Sequence, residues 1–130
     1  MKYLCLAYEM EATFNDMVPS EWAALREETL TYVESLRQSG HLVVTKALQS
    51  ARSASTLRVR DGKVTVTDGP FIETKEQLGG FFLIEARDLN EAIQVASKWP
   101  GARFGTIEVR PVEEALRVEG RYEAVRHGNR

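Results

Sequence analysis

The chain has a single cysteine among its 130 residues, Cys5, so no disulfide can close within it. That absence excludes the stapled scaffolds of small secreted domains and suits a reducing cytoplasm. Long hydrophobic runs are missing too. Nothing approaches the roughly 20 apolar residues that a bilayer-spanning helix requires. The apolar part of "MKYLCLAYEM" is short and broken by Glu9, so neither a membrane span nor a secretory leader is expected. There is no excess of positive charge: 17 Lys and Arg stand against 19 Asp and Glu, a net charge of −2. Binding to phosphate backbones needs a dense basic patch, and these arginines are dispersed among acids, so no nucleic-acid partner is expected. Histidine is nearly absent, and no Ser–His–Asp or Cys–His arrangement can be read from the order of the residues. No internal repeat, low-complexity tract or linker divides the chain. One domain over residues 1–112 is expected, followed by a tail, 113–130, able to form a loose terminal helix.

What is present is ordinary globular composition, 43% hydrophobic and 28% charged. "KYLCLAY", residues 2–8, reads as a strand, apolar on both faces and therefore central. Cys5 falls inside it, a core residue rather than a nucleophile. After the loop "EATFNDMVP", Ser20 is the expected N-cap of a helix, with Glu21 at the positive end of its dipole. Trp22, Leu25, Thr29, Tyr32, Val33 and Leu36 recur at helical spacing, and Gly40 closes the helix with positive φ. "HLVVTKALQ" is a second strand. "TLRVR" and "KVTVT" flank Asp61-Gly62, the composition of a tight hairpin turn. "GGFFLIEAR" is the next strand. "DLNEAIQVASKWP" is a helix capped by Asp88, with Leu89, Ala92, Ile93 and Ala96 on its buried face and Pro100 at its end. "FGTIEVRPV" is the last strand.

Removing the hairpin from this order leaves βαβ-βαβ, so the fold class is α+β: a ferredoxin-like βαββαβ arrangement with an inserted β-hairpin. Two helices cover one face of such a sheet. Both faces of "FFLI" are apolar, so the uncovered face is expected to meet a second copy in a homodimer.

The densest chemistry lies between the hairpin and the strand that follows, in "TDGPFIETKEQLGGFF". With "TLRVRDGK" before it and "GTIEVRPV" after it, this stretch resembles the YCII-related proteins of the DGPF-domain branch. The resemblance rests on Asp68-Gly69-Pro70-Phe71, then Glu73-Thr74-Lys75-Glu76, then Gly79-Gly80-Phe81, and it extends from "MKYLCLAYE" through "EVRPVEE". It implies a dimeric α/β barrel of ferredoxin-like subunits, a bacterial origin, and frequent encoding beside extracytoplasmic-function sigma factors. It implies no assigned reaction. In YCII-type relatives a histidine of the first helix, paired with an aspartate, has been considered as an acid–base couple. The helix over 20–38 has no histidine here, so only Asp68 carries over, on the aspartate side.

Each candidate residue has two readings. Asp68 either accepts backbone N–H groups in a turn whose Gly69 is held extended by Pro70, or acts as a rigid base at a cleft. "ETKEQL" can form one helical turn with Thr74 and Gln77 as a capping box. Glu73, Lys75 and Glu76 then either face solvent or share a cavity with Asp68, where crowded carboxylates raise one another's pKa. The spacing is not that of known metal-binding loops, and neither a metal nor a cofactor is expected. Gly79 and Gly80 form a bulge at a strand entrance or admit a ligand close to the backbone. His41 either caps the helix ahead of it or serves as the partner acid; His127 lies in the tail. The aromatic residues belong to the core or an interface, and Arg52, Arg58 and Arg60 protect an edge or meet an anion.

Two functions follow. One is a homodimer that binds a small molecule in an acidic cleft, as a cofactor-independent acid–base isomerase or lyase. Asp68, Glu73 and His41 would be its catalytic residues, and Lys75, Glu76, Gly79 and Gly80 would contact the ligand. The other is a regulatory or ligand-sensing module tied to a sigma-factor pathway.

Overall fold

The computed structural model describes residues 1–115 and residue 122. In chain order the elements are β1 (Lys2–Glu9), a short α1 (Glu11–Asn15), α2 (Pro19–Gln38), β2 (Leu42–Ala47), β3 (Ser55–Arg60), β4 (Lys63–Asp68), β5 (Gln77–Glu85), α3 (Leu89–Ser97) and β6 (Thr106–Pro111), with 3-10 turns at Ala51–Ser53 and Pro100–Arg103. The four-stranded sheet has the order β2-β5-β1-β6, with every pair antiparallel. This α+β arrangement is compatible with a ferredoxin-like fold. Among the described residues β3 and β4 pair only with each other. Among the described residues no helix is long and apolar enough to cross a membrane.

Strand alternation divides the sheet into two faces. Tyr3 and Cys5 of β1 stand opposite Ile84 and Phe82 of β5, and all four are buried against Leu36 of α2 and Ala92, Val95 and Ala96 of α3. Trp99 stacks on Phe82 with ring centroids 4.0 Å apart, while the Tyr32 hydroxyl donates to the Val95 carbonyl at 2.7 Å. Cys5 is inside this core as expected. Removal from water pushes its thiol up to about 12, so it carries no thiolate at neutral pH. On the opposite face Leu4 pairs with Leu83 and Leu6 with Phe81, each half-buried.

The helix ends follow local rules, with one revision. α2 begins at Pro19, whose missing N–H costs nothing in the first turn, and not after a Ser20 cap. The Glu21 carboxylate accepts the Val18 N–H at 3.3 Å. At the other end Gly40 has φ +82°; its N–H donates to the Arg37 carbonyl at 3.2 Å, and the His41 N–H donates to the Leu36 carbonyl at 3.0 Å. That pair of bonds is a Schellman motif. Asp88 caps α3 by accepting the Glu91 N–H at 2.9 Å.

Three local expectations need correction. The face of α3 is displaced: Ala92, Val95 and Ala96 are buried, whereas Leu89 and Ile93 are about half exposed. The small alanines let the helix approach the sheet closely, and Val95 turns inward between them. The segment before α2 is not all loop, since Glu11–Asn15 is helical. "ETKEQL" forms no helical turn; instead the Gln77 amide donates to the carbonyls of Ile72 and Thr74 at 3.1 and 3.0 Å, closing an irregular loop. The expected terminal helix and His127 lie outside the described residues.

Candidate functional site

The large core side chains run out toward one end of the sheet. On the helix-covered face, one row across three strands is Ala47–Gly80–Ala7, since Ala7 and Ala47 both pair with Gly80. None of the three has a side chain beyond Cβ. α2 passes over this row without filling it, because its N-terminal half presents Trp22, Leu25, Arg26, Thr29 and Leu30 to the gap. The result is an open cleft of about 560 Å³, mostly apolar, bounded by Phe14, Trp22, Val33 and Trp99. A smaller arm of about 210 Å³ continues past Glu9 toward Gln49, Ser50 and Gln77.

Glu9 lines both spaces. β1 pairs with β5 through a bulge: Ala7 opposes Gly80 and Tyr8 opposes Leu78, leaving Gly79 as the extra residue. A Cβ at Gly79 would run into the Glu9 carboxyl, so the missing side chain is what lets Glu9 lie over β5. At Gly80 a Cβ would stand 2.9 Å from the Lys46 carbonyl of β2. The double glycine is therefore the bulge at the strand entrance and also the floor of the cleft.

Burial raises the Glu9 carboxyl above its ordinary value, and the negative charge of Glu11 raises it further. No hydrogen bond or ion pair holds the Glu9 side chain among the described residues. Glu11 is the opposite case. Its carboxylate accepts the Ala51 N–H at 2.8 Å and the Ser50 hydroxyl at 2.7 Å, which hold it below its ordinary value and tie α1 to the 3-10 turn at Ala51–Ser53. One carboxylate is thus engaged in structure, and its neighbour is left desolvated and free at the cleft wall.

The acidic loop lies elsewhere. Asp68 ends β4 opposite Ser55 and is exposed, as are Glu73 and Lys75; Glu76 is half-buried. None of the four lines the cleft. Among the described residues no backbone N–H donates to the Asp68 side chain: the turn is held by the Gly69 N–H on the Ala54 carbonyl at 2.7 Å and by the Thr56 hydroxyl on the Gly69 carbonyl at 2.9 Å. Gly69 has φ +95°, so it is not extended as expected. Phe71 lies under the Arg58 guanidinium at 4.9 Å. Among the described residues no three His, Cys, Asp or Glu side chains form a group able to hold a metal, so Asp68, Glu73 and Glu76 do not gather into one.

His41 is farther still. Its carbonyl accepts the Glu85 N–H at the end of β5. The loop carrying Asp68 to Glu76 enters the other end of that nine-residue strand, about 26 Å away at the usual rise. The His41 ring meets Ser39 Oγ at 2.7 Å and Glu91 Oε1 at 3.6 Å, contacts that join the end of α2 to the start of α3. His41 and Asp68 do not converge. Of the residues expected at a ligand site, Gly79 and Gly80 are in the cleft. Glu9, Trp22 and Arg26 were not singled out for it. The available signal was an acid at the end of an apolar strand, matched by a double glycine in another.

Comparison with known proteins identifies the family. A family model for the YCII-related domain matches residues 1–115. The chain belongs to the YCII-related family. An uncharacterized protein of Rhizobium meliloti (strain 1021) is 34% identical to this YCII-related chain over 96 residues, which cover 74% of this chain and 77% of the relative. The match takes in the DGPF stretch and the sheet together, so the YCII-related domain includes every residue of the cleft.

Proposed function

We propose that this YCII-related protein is a homodimer that binds a small, mostly apolar organic molecule in the cleft beneath α2, with Glu9 as the group that exchanges a proton with it. The observation that carries this reading is the unfilled space above Ala47–Gly80–Ala7 with an unpartnered, desolvated carboxyl in its wall. A carboxyl whose pKa is raised toward the working pH serves both as proton acceptor and as proton donor. The fitting reaction class is proton transfer within a small molecule, an isomerisation or an elimination. The acid–base role considered for Asp68 thereby passes to Glu9.

Two surfaces support the homodimer. One is the half-buried apolar face of Leu4, Leu6, Phe81 and Leu83. The other is the β3–β4 ribbon, whose Leu57, Val59, Val64 and Val66 share one face and are each between 52% and 65% exposed. A two-stranded ribbon is marginal in water without a covering layer, and a second subunit would provide one.

Native mass spectrometry of freshly purified protein, with Glu9→Gln beside the wild type, tests the reading. A dimer carrying a reproducible organic adduct, weakened in Glu9→Gln, is the expected result. A dimer that carries no adduct and gives no change in Trp22 or Trp99 fluorescence across a library of small apolar compounds would overturn it.

A further inference from the structure

The charge of the cleft's occupant can be read from one side chain. Arg26 sits in the middle of the stripe that α2 turns toward the cleft, one turn from Trp22 on one side and from Leu30 on the other. It makes no ion pair or side-chain hydrogen bond among the described residues. The acids of α2 that have recorded partners are engaged elsewhere. Glu21 takes the Val18 N–H, Glu28 holds Arg103 through two bonds of 2.7 and 2.8 Å, and Glu34 pairs with Arg37. The pKa of Glu9 is raised by burial and by the charge of Glu11. Glu9 and Arg26, of opposite sign, line one cleft with no ion pair between them among the described residues; Arg37, which also borders it, is paired with Glu34. Lys46 pairs with Phe81 on the strand face away from α2, although it too borders the cleft.

A guanidinium presents a planar fork of five donors suited to a carboxylate or similar anion, and it is less strongly hydrated than an ammonium. Arg26 lines the cleft together with Trp22 and the apolar floor, and its fork has no partner among the described residues. Resting on the reading of the cleft as a small-molecule site, we propose that its occupant is an apolar organic anion. Its acidic group is held by Arg26, and its hydrocarbon or ring body lies between Trp22 and the Ala47–Gly80–Ala7 floor.

The test titrates the full chain with three probes of one shape, phenylbutanoate, phenylbutanamide and phenylbutylamine, read by the fluorescence of Trp22 and Trp99 and by calorimetry. A charge-assisted hydrogen bond predicts that the carboxylate binds about tenfold or more tighter than the amide. Arg26→Gln should bring the two within about twofold of each other, since the preference rests on that bond, and Arg26→Lys should fall between. Circular dichroism of the variants should match wild type, because Arg26 is exposed. Equal binding of carboxylate and amide overturns the anion assignment, and a preference that survives Arg26→Gln overturns Arg26 as the group that holds the anion; either result leaves the cleft a ligand site. Tightest binding of the amine would place the charge selection on Glu9 and overturn it also. If none of the probes binds, the cleft reading falls and the anion proposal falls with it.

Discussion

Glu9 is the residue on which the proposed chemistry turns, and its effect on stability has a definite sign. A carboxyl whose folded pKa lies above its unfolded value stabilises the fold while protonated, below the usual carboxylate range, and that contribution is lost as pH rises through the folded value. Glu9→Gln should therefore leave stability little changed in acid and raise it at neutral pH. Thermal melts at both pH values check this; a variant less stable at neutral pH would mean that Glu9 is held by a partner in solution. Glu11 runs the other way, since bonding holds its folded value down: the stability it confers is present above the unfolded value and lost as pH falls through the folded one. The adjacent glycines separate two roles. Gly79→Ala meets only the end of the Glu9 side chain, which can swing aside, so little stability should be lost while ligand binding falls. Gly80→Ala meets the Lys46 backbone carbonyl, which cannot move without opening the β2–β5 ladder, and should cost about 1–3 kcal/mol in denaturant melts. The double glycine was visible in the sequence. That its first member faces a carboxyl and its second a carbonyl was not, because both neighbours come from strands distant along the chain.

At the scale of elements, the local signals translated well. Gly40 closes α2 through a Schellman pair, and Asp61 and Gly62 both take positive φ between β3 and β4, as the turn composition suggested. Gly40→Ala would place a side chain in the left-handed region and should cost about 1–2 kcal/mol, with nothing else near enough to clash; a melt within error of wild type would show that the end of α2 can rearrange. The misreadings were also of one kind. The face of α3 and the start of α2 were off by a residue or so because periodicity gives a stripe, while the sheet decides which edge of the stripe is buried. "ETKEQL" had the spacing of a capping box, but Gln77 enters β5 and its amide closes the loop behind it. Asp68, Glu73 and Lys75 are crowded along the chain, but the loop lays them on an exposed surface outside the cleft.

For the whole molecule, the open question is what covers the sheet face away from the helices. Leu83 lies on that face beside Leu4. If the protein is the homodimer proposed above, Leu83→Glu should convert it to a monomer in light scattering with little change in the circular dichroism spectrum; a variant that remains dimeric would move the interface to the β3–β4 ribbon or another surface. The sequence by itself determined the order of the six strands and the two longer helices, the hairpin turn and the helix-closing Gly40, the inert core position of Cys5 and the resemblance to the YCII-related family. Each of these depends on residues close together along the chain, or on a pattern that survives without coordinates. Only the tertiary structure decided the site. The row Ala47–Gly80–Ala7 draws on three strands, the carboxyl in its wall comes from the end of β1, and Arg26 comes from a helix laid across them. A cleft is a place where side chains are too small to fill the space their neighbours enclose, and that mismatch exists only once the elements have packed.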